Sequence, residues 1–354
     1  MMTTKIEILA ANELSKSDWA FWRDCHLRNP ALDSPYFHPQ FVRELLDVGR
    51  RVCVAVVTTA GQAVALFPFE QTRTVGRPAG WPMCDFQSPI GMPSAEFDPE
   101  EFMRATGLQA YLFDHILVAR QEFQPFFERV VPSPYMEVAG GLEGYKSRLT
   151  DRNKLVLRDT LRRTRKAVRE LGPLRLEFFS TDEALLEQLI AWKREQYKRS
   201  GADDFLGRAE PRAYLSNLLK LRGPEFRGAL SGLWAGEQLL AIHMGMIARG
   251  ILHWWFPAYD RKLANYAPGR LMLTKLAEEA AAHGLLRIDL GKGDYSFKLD
   301  AMTGATMVAE GYIETRPLHR WLRSQRRASV TIVRASAAYQ IARTVKRRLL
   351  GETV

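Results

Sequence analysis

The 354-residue chain has three cysteines, no apolar run longer than a strand, and none of the short motifs that mark the commonest enzyme chemistries. Cys25, Cys53 and Cys84 are odd in number, far apart and outside any CxxC or Cys/His cluster. That spacing argues against a disulfide framework and against a structural metal site, and it suits a reducing cytoplasm. The longest apolar stretches, such as VCVAVV at 52–57, fall far short of the ~20 residues of a membrane span. The opening MMTTKIEILAANELSKSDWA mixes polar and apolar residues, so no secretory leader is expected and the protein is predicted to be cytoplasmic, at most membrane-peripheral. No GxSxG, GxxxxGK[ST], HExxH or strand-linked GxGxxG is present, which removes support from hydrolase, P-loop, zinc-protease and dehydrogenase readings.

What the chain does have is apolar content, at 46%, and a net charge of +10 that is unevenly spread. This length suits two domains of about 150 residues. Residues 316–354 hold ten Lys or Arg against Glu352 alone, and 151–171 hold eight basic and three acidic residues. Such concentrations favour an anionic partner or simply solvated helix faces. In the C-terminal segment, Val330, Val333, Ala337, Ile341, Val345 and Leu349 recur at helical spacing beside Arg343, Lys346, Arg347 and Arg348. This pattern fits an amphipathic helix that meets an anionic membrane surface, or one that packs on protein.

A faint repeat organises the rest. VVTTAGQAVALFPF (56–69) aligns with LWAGEQLLAIHMGM (233–246), each reading as strand, Ala-Gly turn, strand. Before each hairpin stand helical patterns, with Trp19, Trp22, Phe41, Leu45 and Leu46 in the first half and Leu185, Leu189, Trp192 and Gln196 in the second. Helix, helix, hairpin, then more strand and helix, built twice, predicts an α+β layered fold of two tandem lobes. Each lobe is expected to hold a mixed, mostly antiparallel sheet with flanking helices. The boundaries expected are 1–143 for the first lobe, 144–172 for a single basic linking helix, 173–317 for the second lobe and 318–354 for a basic helical tail. The linking helix, Tyr145 to Leu171, shows a thin apolar stripe of Leu155, Leu157, Leu161 and Val168 and stops at Gly172–Pro173.

Residues 251–298 carry the strongest chemical signal. Ile251 to Phe256 reads as a strand, Asp260 to Asn265 as a polar loop, and a helix starts at Pro268 and closes at Gly284 before a strand at 286–290. A helix opening with glycine after a strand offers backbone N–H groups and a partial positive charge to phosphate oxygens. Gly269, Arg270 and Leu271 would supply amides, and Arg261, Lys262 and Arg270 would flank a pyrophosphate.

The stretch YAPGRLMLTKLAEEAAAHGLLRIDLGKGDYSFK resembles the signature of GNAT acyltransferases related to the cellulose-biosynthesis CelD/BcsL proteins. Supporting matches are WKREQYKRSGADDF (192–205), AIHMGM (241–246) and, more loosely, WPMCDFQSPIG (81–91). The resemblance implies tandem GNAT lobes related to the FemABX peptidyltransferases, with acetyl-CoA or another acyl-CoA as co-substrate and no metal. Where the family pattern has Tyr-Lys, this chain has Phe297-Lys298, so a hydroxyl role there passes to Tyr295 or is lost. An amine attacking a thioester needs a base and a partner for the leaving thiolate. His243, at the family-matched position, and His253 are candidate bases, with Asp294 a further one, and Tyr295 a candidate donor to the thiolate. Asp85, Gln87, Trp192, Gln196 and Lys298 are candidate acceptor contacts, Lys298 equally a structural partner of Asp289 or Asp294. The first lobe has no Pro-Gly counterpart of 268–269 after its hairpin and is expected to bind no cofactor.

The function implied is transfer of an acyl group to an amine of a sugar, nucleotide-sugar or similar small acceptor, in a setting such as exopolysaccharide production. Two other readings stay open. One is a FemABX-like, aminoacyl-tRNA-dependent peptidyltransferase, favoured by the basic helix. The other is a non-catalytic, membrane-peripheral scaffold of a polysaccharide synthase.

Overall fold

The computed structural model describes residues 4–293 and 295–316. The first half runs β1 (Thr4–Ala10), α1 (Lys16–Arg28), α2 (Pro39–Asp47), β2 (Cys53–Thr59), β3 (Gln62–Thr72), β4 (Val75–Pro78), β5 (Ile90–Gly91), α3 (Pro99–Thr106), β6 (Ala110–Leu117) and β7 (Phe127–Glu137). Two helices follow, α4 (Gly141–Arg148) and α5 (Asp151–Leu171). The second half runs β8 (Leu174–Phe178), α6 (Glu183–Ser200), α7 (Ala209–Lys220), β9 (Phe226–Ala235), β10 (Gln238–Ala248), β11 (Ile251–Tyr259), α8 (Pro268–Glu279), β12 (Arg287–Asp289), α9 (Ser296–Ala301) and β13 (Gly304–Glu314).

The predicted repeat is real as topology. β2 and β3 form one hairpin around Gly61 and β9 and β10 the other around Gly236, both glycines at positive φ where a Cβ is disfavoured. After each hairpin a strand, a helix and a parallel strand follow: β4, α3, β6 pair at Val75–Ala110, and β11, α8, β12 pair at Ile251–Arg287. Among the described residues the strands join in one mixed sheet, ordered β1-β2-β3-β4-β6-β13-β7-β12-β11-β10-β9-β8. The halves interlock within it, because β13, the last strand among the described residues, pairs with both β6 and β7, and β12 pairs with β7.

Three apolar clusters fill the two faces. The largest unites α1 and α2 with α6 and α7, through Trp22, Phe41, Leu45, Leu189 and Tyr214, so one core spans both halves. The second lies under α4, α5 and α8, and the third under α3 against β2, β3 and β6. Polar ties reinforce the junction: Arg50 reaches Glu70 at 2.5 Å and Glu210 at 3.3 Å, and Tyr214 Oη donates to the Phe41 carbonyl.

The single linking helix expected over 145–171 is two. Leu149 is extended and buried, and Thr150 caps α5 by accepting the Asn153 amide on its side chain, which restarts the helix in a new direction. The buried stripe of α5 is also different. Asn153, Leu157, Thr160 and Ala167 face the protein, whereas Leu155 is 61% and Val168 42% exposed. Short polar and small side chains can line a buried helix face when their hydroxyls and amides find partners: Asn153 donates to the Leu299 and Met302 carbonyls, and Thr160 to Val156. The C-terminal tail lies outside the described residues. Among the described residues, no helix is long and apolar enough to cross a membrane.

Candidate active site

The site is built around the end of β11. β11 and β12 are bonded only over Ile251–His253 and Arg287–Asp289, after which β11 continues to Tyr259 while the other chain turns away at Gly291 (φ +74°). A wedge therefore opens between two parallel strands. At its rim the chain makes a 3-10 turn, Arg261–Tyr266, and enters α8 through Ala267 in the left-handed region. α8 has no side-chain cap and no acid in its first turn. The corresponding helix of the first half, α3, is filled at the same place: Asp98 accepts the amides of Glu100 and Glu101, and those two acids occupy the first turn. The helix-end potential favours an anion at α8 and is already answered at α3.

A Cβ on Gly269 would meet nothing within 4 Å, so this backbone faces open space. Arg261 and Lys262 are exposed beside it. The other expected phosphate contacts are committed elsewhere. The amides of Arg270 and Leu271 donate to the Ala267 carbonyl at 3.0 and 3.1 Å, the Leu271 side chain is core, and Arg270 Nη2 bonds Asp300 at 2.9 Å.

The two histidines fall on opposite faces of the sheet. His243 stacks on Trp254 at 4.2 Å in the cluster beneath α8, whereas His253 packs edge-on against Tyr36 in the cluster that spans both halves. His243 is the preferred base of the sequence reading, and its geometry argues against that role. It is fully buried, its Nε2 accepts the Trp255 amide at 3.3 Å, and burial drives its pKa down to about 3. The local cause is a bulge: Gly245 alone faces two residues of β11, Trp254 and Trp255, one more than the regular ladder has, and a Cβ there would sit 2.2 Å from the His253 carbonyl.

His253 instead joins the cleft. Its Nε2 lies 2.9 Å from Oδ2 of Asp85, which the loop between β4 and β5 carries in from the first half. His115 Nε2 lies 3.4 Å from the other Asp85 oxygen. Gln87 locks the loop to β6 by donating to Asp114 at 2.7 Å and accepting the His115 amide. Burial pushes the Asp85 carboxyl up, but the His253 hydrogen bond and the His115 and Lys298 charges outweigh it and hold it well below the usual carboxylate range. The Asp85 side chain keeps 26% of its surface exposed.

Lys298 closes the same cluster from α9. It donates to the carbonyls of Gly291 at 3.0 Å and Lys292 at 2.9 Å, not to Asp289, which is held by Arg287 at 2.8 Å. Gly291 is the meeting point, since a Cβ there would come 2.9 Å from Asp85 Oδ2 and 3.5 Å from Lys298 Nζ. Tyr295 is half-exposed, with Lys298 Nζ 5.6 Å from its ring centroid. Asp294 lies outside the described residues.

α6 forms the facing wall. Trp192, Gln196, Arg199 and Ser200 line a cleft with Ala258, Tyr259 and Arg261, so two acceptor candidates meet one phosphate candidate. Lys193, between them, escaped the sequence reading. It continues the apolar stripe Leu186, Leu189, Ile190 at helical spacing and is 7% exposed, with Nζ donating to Gln196 Oε1 at 3.0 Å. A lysine on an apolar stripe was the available signal. Both Lys193 and Lys298 are lowered to about 8, chiefly by burial, with the charge of Lys298 adding to the shift of Lys193.

Comparison with known proteins gives a domain match and a shared fold. Residues 156–299 match the acetyltransferase (GNAT) domain family. No curated protein sequence matches the chain. Among solved structures, the C-terminal domain of a protein named as a lysylphosphatidylglycerol synthetase from Agrobacterium fabrum superposes with a TM-score of 0.54 at 13% identity, covering 87% of this chain and 94% of that one. FemX gives 0.54 at 11% identity, covering 89% and 99%. A tandem GNAT protein from the clavulanic acid biosynthesis pathway gives 0.50 at 10% identity, covering 89% and 99%. Residues 156–299 are thus similar to GNAT acetyltransferase domains, and the fold they sit in is similar to that of a tandem GNAT protein.

Proposed function

We propose that the protein is an acyl-CoA-dependent N-acyltransferase whose second half holds the thioester and whose first half supplies Asp85 to the acceptor amine. The observation that carries this is the Asp85–His253 contact at 2.9 Å, which joins a partly exposed carboxylate from the first half to the strand beside the wedge. Acyl-CoA would lay its pyrophosphate against Gly269, Arg261 and Lys262 and pass its thioester through the wedge toward His253. The uncapped start of α8, against the acid-filled start of α3, supports one cofactor site in the second half.

In the reaction the amine nitrogen forms a bond to the thioester carbon, the C–S bond breaks, and the proton lost by the amine ends on the thiolate. Asp85 is held too acidic to keep that proton. Its part is to accept an N–H of the amine and aim the lone pair, while His253 fixes the carboxylate. The acceptor in this reading is an amine of a sugar, a nucleotide-sugar or a similar small molecule.

Thiol release from acetyl-CoA in the presence of an amine panel tests this. Asp85→Asn should lower kcat/KM by about 10²-fold while leaving acetyl-CoA binding intact. Equal rates in the variant would remove Asp85 from the site. A tRNA-dependent reaction is the second reading, favoured by exposed Arg152, Arg162 and Arg169 on α5. It requires tRNA binding that weakens steeply with salt.

A further inference from the structure

We infer that the acceptor enters as an ammonium ion and that His115, reached through the Asp85 carboxylate, takes up the proton that must leave before the nitrogen can attack. This rests on the acyltransferase reading of the same site and goes beyond it, because it gives the acceptor a charge and His115 a part.

An aliphatic amine titrates near lysine, at about 10.4, so at pH 7 it arrives protonated and without a lone pair. Asp85, the group it would meet, is held too acidic to keep a proton. A base must therefore stand behind it. Two imidazoles touch Asp85: His253 Nε2 lies 2.9 Å from Oδ2, and His115 Nε2 lies 3.4 Å from Oδ1. They differ in what stands at the other ring nitrogen. Nδ1 of His253 has no hydrogen-bond partner among the described residues, and its fully buried ring has Tyr36 and Phe86 edge-on at 4.9 and 6.3 Å between centroids. An imidazolium there would be answered on one side only. Nδ1 of His115, a residue 6% exposed on β6, lies 2.9 Å from Oδ1 of Asp114. Once protonated, that ring meets a carboxylate at each nitrogen, which is what a buried charge needs.

The surroundings keep this arrangement in place. Gln87 donates to the same Asp114 oxygen at 2.7 Å. Burial pushes the Asp114 carboxyl up, but the contact and charge of His115, followed by the charge of Lys292, outweigh it and hold it below its usual range. Among the described residues, the other charged groups facing the cluster are Lys292, Glu310 and Lys298. Lys292 donates to the Asp114 carbonyl at 2.8 Å and pairs with Glu310 at 3.0 Å. Lys298, beyond Asp85, donates to two backbone carbonyls, the role of a protonated amine. In the step itself, one N–H bond of the ammonium breaks, its proton passes over Asp85 to His115 Nε2, and the lone pair attacks the thioester carbon. A second N–H proton ends on the thiolate as the C–S bond breaks. The imidazolium then returns its proton to water through Asp85, whose side chain is 26% exposed.

The test uses the full-length protein and pairs each aliphatic amine with its aminooxy counterpart, in which O–NH2 replaces CH2–NH2 and the nitrogen is neutral at pH 7. Thiol release from acetyl-CoA reads transfer. His115→Gln keeps a polar group toward Asp85 that cannot take the proton, and it should lower kcat/KM for the amine by about 10²-fold at pH 7. The loss for the aminooxy compound should be under about tenfold. The amine deficit should shrink by pH 9, where more of the amine arrives already neutral. Asp114→Asn should show the same split at about tenfold, which covers the case of a His115→Gln that does not fold. Equal losses for both compounds in a variant that still binds acetyl-CoA, or a deficit that does not change with pH, would overturn the inference and leave the acyltransferase reading standing. Transfer by the wild type to aminooxy compounds alone would overturn it as well. No thiol release by the wild type with any compound would remove that reading and the inference with it.

Discussion

Lys193→Met should make the protein more stable. The side chain is 7% exposed and packs beside Leu189 and Ile190, and burial, followed by the Lys298 charge, lowers its pKa from the ordinary 10.5 to about 8. At about 1.4 kcal/mol for each pKa unit, the charged form destabilises the native state by about 3 kcal/mol at pH 7. Methionine removes that charge and forfeits the hydrogen bond to Gln196, worth about 1 kcal/mol, leaving a net gain of about 2 kcal/mol. The native pKa lies below the unfolded one, so the unfolded chain binds more protons between pH 8 and 10.5 and wild-type stability rises through that window. The advantage of the variant should therefore be full at pH 7 and under about 1 kcal/mol at pH 10. Urea unfolding reads it directly: with an m-value of about 4 kcal/mol/M, the midpoint should rise by about 0.5 M at pH 7. A variant less stable than wild type at pH 7, or an advantage that does not change with pH, would refute this account of Lys193.

Arg287→Met should cost about 3–5 kcal/mol at pH 7, because it strands the Asp289 carboxylate, 1% exposed, without its partner. Burial already raises the Asp289 pKa against the pull of Arg287, so the deficit should shrink as pH falls and that carboxyl takes up a proton, which denaturant titrations at pH 7 and pH 5 would show. Gly245→Ala should lower stability by about 1–3 kcal/mol, since its Cβ would meet the His253 carbonyl at 2.2 Å and the His243 ring at 2.7 Å. Calorimetric unfolding that gives the wild-type midpoint would show that the bulge relaxes without loss.

The parts of the fold set by local chemistry were readable in the sequence. Gly61 and Gly236 mark the two hairpins because each turn needs positive φ, and Pro268 marks the start of α8. The break at Leu149–Thr150 was not readable, because it depends on a side-chain cap and on the burial of Leu149 against distant elements. Nor was the insertion of β13 between β6 and β7, since strand pairing across so much chain leaves no local pattern. At the site, family resemblance supplied Asp85, Trp192, Gln196 and Lys298, and the structure adds the contact to His253. His243 was preferred to His253 on its family-matched position, and the bulge at Gly245 that puts the two on opposite faces, with His253 beside Asp85, leaves no pattern in the sequence. His115 and Lys193 were passed over as ordinary strand and helix residues, although both are buried and polar.

The central claim is that acyl-CoA binds in the second half at the start of α8. Calorimetric titration of acetyl-CoA into the full-length protein and into Gly269→Glu tests it most directly, because position 269 has open space for a side chain and no positive φ to restrict it. The account predicts saturable binding to the wild type and its loss in a folded Gly269→Glu, where a carboxylate meets the pyrophosphate. Equal binding by both proteins would put the cofactor elsewhere, and no binding by the folded wild type would contradict the acyl-CoA reading itself.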